Sequence, residues 1–332
     1  MPRAVLIGGT GMIGRAAARA LATDGWDVVA VSRSGELPER LAELGVESIA
    51  ADRADDAQLR AALGSGADVV YDSVAMNREH GEQLNGLEGL AGSLVVISTA
   101  SVYADDDGRA FDGEGGELPR LPVPILETQR TTEPGAATYS TQKAELEQTL
   151  LDGPLPATLI RACAVYGPGA KNPRELFFVK RAFDGRRRVA IAWSGESRFH
   201  TVSVRNLAEL IRLAAALPGD RVLNGGDPDA PSTLEICRAI GDALEHKFEP
   251  VLLPADEFGN PWGVPSSSPL IVSMEAAGRE LGYRPVTSYP EGVKETCAWL
   301  VGELERGRSW EGSYVADSFD YGAEDVVLAS HA

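Results

Sequence analysis

Cysteine and histidine are scarce in this chain. Its 332 residues include three cysteines, Cys163, Cys237 and Cys297, and four histidines. The cysteines are odd in number and far apart in sequence, which is typical of a reduced intracellular protein rather than of a disulfide framework. No cysteine and histidine group has the spacing of a metal site, so we expect no bound metal.

Long apolar runs are also missing. No segment approaches the roughly 18 consecutive apolar residues that a membrane-spanning helix needs. The N-terminal residues 1–9 enter a strand pattern at once, whereas a signal peptide would need a longer apolar segment and a cleavage site. We therefore expect a cytoplasmic protein that has no membrane partner.

Positive charge is the third deficit. Lys and Arg number 31 against 49 Asp and Glu, which gives a formal net charge of -18. A chain this acidic repels phosphate backbones, so nucleic acid is not an expected partner. Apolar residues make up 44% of the chain, which is ordinary for a globular protein, and the partner that we expect is a small molecule.

The first half of the chain alternates short apolar runs with helical patterns. Strands are predicted at 3–9, 27–32, 46–50, 68–73, 93–98 and 156–161, and helices near 12–24, 38–44, 55–63, 79–90 and 138–151. Nearly continuous Val, Ile and Leu in such strands is typical of a parallel sheet that helices cover on both faces. We predict an α/β fold with a doubly wound parallel sheet.

The second half has a mixed pattern that indicates a smaller C-terminal α/β lobe. Helices are predicted near 173–184, 232–245 and 290–306, strands near 189–192 and 221–224, and a strand followed by a helix near 200–216. We assign to the first domain residues 1–167, with 198–226 returning to it, to the lobe 168–197 and 227–314, and to an acidic tail, helical or loosely docked, 315–332. The segment 104–135 is rich in Gly, Pro and acidic residues, and a loop of that length is usually functional or mobile.

A glycine-rich turn lies near the N-terminus. The stretch 5-VLIGGTGMIGRAAARAL-21 places Gly8, Gly11 and Gly14 after a strand and at the start of a helix. Gly8 permits a tight turn, Gly11 lets a pyrophosphate approach the backbone, and Gly14 lets the helix and the strand pack closely. The helix N-terminus offers N–H groups to the phosphates. This context of strand, turn and helix predicts a dinucleotide site.

The end of the second strand indicates which dinucleotide binds. NAD sites usually carry Asp or Glu there, whereas this chain has Ser32 and Arg33 in 28-VVAVSRS-34. Arg33 can pair with a 2′-phosphate and no carboxylate repels it, so the sequence favours NADP(H) and leaves NAD(H) open. Asp52, after the third strand, is either a partner of the adenine amino group or a helix N-cap.

Tyr139 and Lys143, in 138-TYSTQKAE-145, lie four residues apart on one face of a predicted helix. A tyrosine has a pKa near 10 and is a poor base at neutral pH, but a nearby ammonium favours the phenolate. Lowering that pKa by about 3 units takes roughly 4 kcal/mol of differential stabilisation. Lys143 and the positive nicotinamide of an oxidised cofactor can supply it, so we predict that the pair transfers protons.

Four motifs together resemble the extended short-chain dehydrogenase/reductase family of the NAD-dependent epimerase/dehydratase type: 8-GGTGMIG-14, 97-ISTASVYA-104, 139-YSTQK-143 and 158-TLIRACAVYGPG-169. The resemblance runs from Val5 to about Leu213. It implies a Rossmann domain with a smaller C-terminal substrate lobe. Members often dimerise through two helices, here near 79–90 and 138–151, but the first has a poor apolar stripe, so a monomer and a homodimer both stay open.

The resemblance also implies roles by position. Tyr139 is the acid/base, Lys143 lowers its pKa and holds the nicotinamide ribose, and Thr99 holds the substrate oxygen, with Ser98 as the alternative. The residues expected to contact the cofactor are Gly8, Gly11, Met12, Ile13, Gly14, Ser32, Arg33, Asp52, Ala75, Ser98, Tyr139, Lys143 and Ala162.

Two features stay open at this point. Tyr103 and Glu127 are either pocket residues beside the segment 104–135 or parts of a surface loop. Tyr71 and Asp72 end the fourth strand, where the family usually has apolar residues, and the sequence pattern offers no reason for them.

Three functions compete. The first is an oxidoreductase that transfers hydride between NADP(H) and a carbonyl or alcohol, with Tyr139 moving the proton. The second is a nucleotide-sugar epimerase or dehydratase with tightly bound NAD, but such members usually carry Asn where this chain has Ala164. The third is a non-catalytic dinucleotide sensor or an RNA-binding protein, against which the set of Thr99, Tyr139 and Lys143 and the net negative charge argue. We favour the reductase, and the sequence does not indicate its substrate.

Overall fold

A computed structural model of the chain describes residues 1–113, 117–255, 261–262, 264–313 and 315–331. Its strands are β1 (Arg3–Ile7), β2 (Asp27–Ser32), β3 (Glu47–Ala50), β4 (Val69–Asp72), β5 (Leu94–Thr99), β6 (Ala157–Ala162), β7 (Ala164–Tyr166), β8 (Arg188–Ile191), β9 (Thr201–Ser203), β10 (Arg221–Gly225) and β11 (Glu249–Leu252). Its α-helices are α1 (Met12–Thr23), α2 (Glu39–Ala42), α3 (Asp56–Leu63), α4 (Arg78–Asn85), α5 (Tyr139–Leu151), α6 (Leu176–Phe183), α7 (Val204–Ala216), α8 (Thr233–Ala243), α9 (Glu275–Leu281), α10 (Tyr289–Glu305) and α11 (Tyr321–Ser330). None of these described helices is long and apolar enough to cross a membrane.

The main sheet is parallel and doubly wound. In the described part of the chain it has seven strands in the order β10-β6-β5-β4-β1-β2-β3. The strand order reverses between β1 and β4, and ligands of such sheets bind in the crevice outside the carboxyl ends of the strands at that point. The predicted fold class is therefore confirmed. β10 and α7 come from the segment 198–226, while the domain boundaries themselves stay a prediction.

Helices cover both faces of this sheet. One face packs against α1, α7 and α9 through side chains such as Leu21 and Ile211. The other face packs against α3, α4 and α5 through side chains such as Leu63 and Leu146. Strands that are buried on both faces have no polar side to expose, which is why they consist of continuous apolar runs.

Two predicted helices are shorter in the structure. The helix expected near 79–90 is α4, which ends at Asn85 with Gly86 as its C-cap. Gly89, four residues on, has a φ of 81°, which a helix cannot continue through. The helix expected near 38–44 has only the four residues of α2. The short strands β7 and β9 pair with each other. β9 was predicted near 200–216 and β7 was not, because three residues carry little periodic signal.

The C-terminal lobe is mainly helical. Its core lies between α6, α8 and α10, where Phe178, Ile240 and Val293 are fully buried. The Phe178 ring stacks on Trp262 with the ring centres 5.6 Å apart. The parallel pair β8–β11 covers one side of this core.

The described part of the segment 104–135 contains no helix or strand. Backbone hydrogen bonds anchor it at two places. Thr132 N donates to Val102 O at 2.7 Å, and Ile125 N donates to Ile271 O at 2.7 Å. The first bond ties the segment to the residues that follow β5, and the second ties it to the C-terminal lobe.

The acidic tail 315–332 is helical in its described part and is docked on the lobe. Glu324 of α11 forms an ion pair with Arg181 in which both side chains are 0% exposed. The Glu324 carboxylate accepts from Arg181 Nε at 3.1 Å and from Ala190 N at 3.2 Å. Removing one partner of such a pair leaves the other charge buried without its counter-charge.

We expect Glu324→Ala to lower the free energy of unfolding by about 3–5 kcal/mol, because Arg181 then stays buried without its carboxylate. Urea unfolding of the purified variant measures this change. Asp325→Asn is the matched control, since Asp325 is 62% exposed in its ion pair with Arg186 and should lose far less. Equal losses in the two variants would mean that the buried pair does not hold the tail.

Candidate active site

The glycine-rich turn is packed too closely to hold side chains at two of its glycines. Gly8 has a φ of +78°, and a Cβ there would lie 2.6 Å from Val74 Cγ2. A Cβ on Gly14 would lie 2.1 Å from Gly8 O. No side chain caps the start of α1, so the first-turn N–H groups, including those of Met12 and Ile13, are left to solvent or to an anion. These residues fit the diphosphate of a dinucleotide.

The end of β2 presents a hydroxyl and a cation. Ser32 Oγ accepts from Gly35 N at 3.1 Å, so its own O–H stays able to donate. Arg33 is exposed and forms no ion pair with any described residue. Its guanidinium is therefore available to an anion such as a 2′-phosphate.

Asp52 is not a helix N-cap. It is exposed, and its Oδ1 accepts from Ala54 N at 3.0 Å within a turn. The N-cap of α3 is Asp55, whose carboxylate accepts from two backbone N–H groups of the first turn. That alternative for Asp52 is therefore wrong, because the helix starts later than the motif suggested. The contact of Asp52 with adenine stays a prediction.

The hydroxyl, phenol and ammonium predicted to act together meet at the carboxyl edge of the sheet. α5 begins at Tyr139, and Lys143 follows one turn later. The Tyr139 hydroxyl lies beside the Thr99 side chain at the end of β5. Thr99 is the register partner of Ala162 at the end of β6. Four predicted residues thus lie near the edge at which the glycine-rich turn follows β1.

The ammonium of Lys143 is buried, with only 4% of the residue exposed. Its Nζ donates to Ala75 O at 2.6 Å and to Ile97 O at 2.9 Å. An ammonium has three N–H donors, so one is left for a ligand. Burial lowers the pKa of Lys143 to about 8, while the carboxylates of Asp72 and Glu147 act in the opposite direction.

The pKa of Tyr139 is raised rather than lowered in the protein alone. Burial of the hydroxyl is the main cause, the neighbouring Thr99 side chain opposes it, and the charge of Asp112 adds to it. The expected lowering by Lys143 is not found in the protein without its ligands. The residue as a whole is 46% exposed, so a ligand that covers it changes this environment.

Ser98 is not brought to Tyr139. Successive side chains of a strand point to opposite faces, and the Ser98 hydroxyl donates to Glu147. Glu147 in turn accepts from Arg161 Nη2 at 2.7 Å, in an ion pair whose side chains are 6% and 7% exposed. Ser98 therefore belongs to a buried ionic cluster, and neither the substrate nor the cofactor role expected for it fits this position.

Tyr103 and Glu127, which belongs to the segment 104–135, are parts of a polar network rather than of a pocket wall or a surface loop. Tyr103 is 0% exposed, and its hydroxyl donates to Asn224 Oδ1 at 2.6 Å. Asn224 N donates to Glu127 Oε1 at 2.9 Å. The guanidinium of Arg161 lies 4.8 Å from the centre of the Tyr103 ring. The network ties the segment to β6 and β10.

Charged residues at strand ends are the part of the site that sequence reasoning missed. Asp72 ends β4, is 0% exposed and forms a 2.8 Å ion pair with Arg53. Arg161 is likewise a buried charge near the end of a strand, β6, and it pairs with Glu147. A charge inside a buried strand pattern is the signal that points to such residues, since buried charges need partners. Asp112, which accepts from Ser140 N at 2.9 Å, carried no local signal.

A family model and a curated relative match most of the chain. Residues 4–225 match the model of the NAD dependent epimerase/dehydratase family. The 2-alkyl-3-oxoalkanoate reductase of Stenotrophomonas maltophilia is 27% identical over 352 aligned positions, which cover 89% of this chain and 98% of that protein.

Solved structures share the architecture at low sequence identity. UDP-N-acetylglucosamine 4-epimerase from Bacillus cereus superposes with a TM-score of 0.71 at 17% identity, over 90% of this chain and 99% of that one. The Bordetella bronchiseptica enzyme WbmH in complex with NAD+ gives a TM-score of 0.69 at 17% identity, over 93% and 100%. At such identities the likeness shows the fold alone.

We expect Thr99→Val to lower cofactor-linked turnover by about 100-fold, because it removes the hydroxyl beside Tyr139 and keeps the side-chain shape. Ser98→Ala should keep turnover and lower the free energy of unfolding by about 1–2 kcal/mol, because Glu147 loses a buried donor. Steady-state rates and urea unfolding of both variants measure the two effects. An equal loss of turnover in both variants would contradict the assignment.

Proposed function

Because the chain belongs to the NAD dependent epimerase/dehydratase family, we propose that it is an NADP(H)-dependent reductase of the extended short-chain type. It transfers hydride between the nicotinamide and a carbonyl or alcohol carbon of a small molecule, and Tyr139 moves the proton. The observation that carries the proposal is the grouping of Thr99, Tyr139 and Lys143 beside the glycine-rich turn.

The protonation of Tyr139 is compatible with a role as proton donor. Burial raises its pKa above the ordinary value, so the phenol is protonated at neutral pH and can donate to a carbonyl oxygen. The nicotinamide, when bound, supplies the hydride to the carbonyl carbon. Thr99 holds the substrate oxygen beside the phenol. Lys143 binds the ribose through its remaining N–H, and its charge stabilises the phenolate that forms.

The substrate class that we propose is a 3-oxo acid. The curated relative is named for the reduction of a 2-alkyl-3-oxoalkanoate, and its alignment covers 89% of this chain. Ala164 stands where nucleotide-sugar members of the family usually carry Asn, which counts against a sugar nucleotide. A series of 3-oxo acids, with and without a 2-alkyl group, is therefore the first set of compounds to test.

Two arginines support a site for NADP(H). Arg33 is exposed at the end of β2 without an ion pair among the described residues. Arg15 follows the third glycine of the motif and also lacks an ion pair there. Its guanidinium lies against Gly169, where a Cβ would be 1.8 Å from Arg15 Nη2. We assign Arg33 to the 2′-phosphate and Arg15 to the diphosphate.

We expect Tyr139→Phe to lower NADPH-dependent reduction by about 10²–10⁴-fold, because the proton donor is lost. NADPH binding and the unfolding curve should stay as in the parent protein. The control is Tyr321→Phe, which removes a tyrosine hydroxyl of the tail that donates to Asp184. This variant should keep full activity. A fully active Tyr139→Phe variant would contradict the proposed role.

Denaturing the freshly purified protein separates a reductase from a redox-neutral enzyme. A reductase releases its cofactor at every turnover, so the site should be empty or exchangeable and should take NADPH better than NADH. Nearly stoichiometric NAD that does not exchange would contradict the proposal and favour an epimerase or dehydratase. Mass spectrometry of the released dinucleotide gives its identity and amount.

We expect the two arginines to differ in their effect on the dinucleotides. Arg33→Ala should weaken NADPH binding by about 10- to 100-fold and leave NADH binding unchanged, because only NADPH carries the 2′-phosphate. Arg15→Ala should weaken both by a similar factor, because both carry the diphosphate. Arg19→Ala, on the exposed side of α1, is the matched control. Direct titration gives the dissociation constants, and an Arg33→Ala variant that still prefers NADPH would rule out its assignment.

A further inference from the structure

We propose that Asp72, paired with Arg53, is a positioning residue for Lys143, because its carboxylate holds the turn 73–75 against which the ammonium is fixed. Nothing in the family motifs assigns a role to this carboxylate, which ends a strand that is otherwise apolar. The inference rests on the proposed function, in which Lys143 binds the cofactor.

One oxygen of Asp72 fixes the turn. Oδ1 accepts from Val74 N at 2.6 Å and from Ala75 N at 2.8 Å. An aspartate that accepts from the backbone two and three residues ahead replaces the hydrogen bonds that the chain loses when a strand ends. The residue is 0% exposed, so water does not compete for these bonds.

The turn that Asp72 fixes has two neighbours, each with a predicted cofactor role. Ala75 O accepts from Lys143 Nζ at 2.6 Å. On its other side the turn packs on the glycine-rich motif, where a Cβ on Gly8 would be 2.6 Å from Val74 Cγ2. A shift of the turn therefore moves two things together: the Ala75 carbonyl that binds the ammonium, and the Val74 side chain that packs on Gly8.

The other oxygen of Asp72 is held by Arg53. Oδ2 accepts from Arg53 Nε at 3.1 Å and from Nη2 at 2.8 Å, and Arg53 Nη1 donates to Gln83 Oε1 at 2.7 Å. Arg53 is only 8% exposed. The carboxylate is thus satisfied on both oxygens, and it links the end of β3, next to Asp52, to the end of β4.

The charges that face Lys143 come from four elements. Asp72 ends β4, Glu147 lies on α5 together with Tyr139, Arg53 follows β3, and His80 lies on α4. Asp72 and Glu147 favour the protonated ammonium and Arg53 opposes it. Burial lowers the pKa of His80, so this ring is neutral at neutral pH. Removing the charge of Asp72 therefore makes Lys143 lose its proton at a lower pH.

The test is the dissociation constant of NADPH as a function of pH, measured by direct titration for the parent protein and for Asp72→Asn. In the parent we expect affinity to fall as pH rises through the Lys143 pKa of about 8. In Asp72→Asn we expect affinity at pH 7 to be about 10-fold weaker and the fall to begin about one pH unit lower. The control is Asp68→Asn, which makes the same charge change just before β4, where Asp68 accepts from Arg3 N. It should titrate as the parent does.

A second variant keeps the test decisive if Asp72→Asn does not fold. Arg53→Gln combined with Asp72→Asn removes both charges, so no buried charge is left alone. It should keep the loss of affinity and show a smaller pH shift, because Arg53 and Asp72 act on Lys143 in opposite directions. A folded variant that has the affinity and pH midpoint of the parent would overturn the proposal and leave Asp72 as a structural residue only. If the parent itself binds neither NADPH nor NADH, the proposed function fails instead.

Discussion

The hydrogen bonding of one buried ammonium constrains the whole carboxyl edge of the sheet. Lys143 is 4% exposed, and an ammonium removed from water is very costly unless its N–H groups are bonded. The protein supplies two carbonyls, one from the turn after β4 and one from β5, to a side chain that arrives from α5. Three elements must therefore keep a fixed spacing, and the same spacing places Tyr139, one turn earlier on α5, beside the end of β5.

The same ammonium accounts for the charges that interrupt the apolar strands. Asp72 and Glu147 compensate it, and each of these carboxylates is bound by an arginine of its own, Arg53 or Arg161. The group holds three cations and two carboxylates, so one positive charge remains below the site.

What could be predicted from the sequence is what depends on neighbours in the chain. The glycine spacing identified the turn, because a Cβ at Gly14 would collide with Gly8 O and Gly9 Cα, which are close by in sequence. The spacing of Tyr139 and Lys143 identified a shared helix face. The motif placed Thr99 first and Ser98 as the alternative, and the structure separates the two hydroxyls by their different neighbours on α5, Tyr139 and Glu147. The partner of Asp72 is Arg53, which lies in the connection after β3. No local sequence pattern around Asp72 predicts this pair.

Burial moves the pKa values of the phenol and the ammonium in opposite directions. As free side chains, tyrosine and lysine have nearly equal pKa values of about 10. In this protein burial raises the pKa of Tyr139 and lowers that of Lys143 to about 8. The ammonium is thereby the stronger acid of the two. At neutral pH the phenol therefore keeps its proton, which is the form that can donate to an oxygen. Burial is the largest cause of both shifts, so a ligand that covers this edge and adds its own charges changes the two pKa values together.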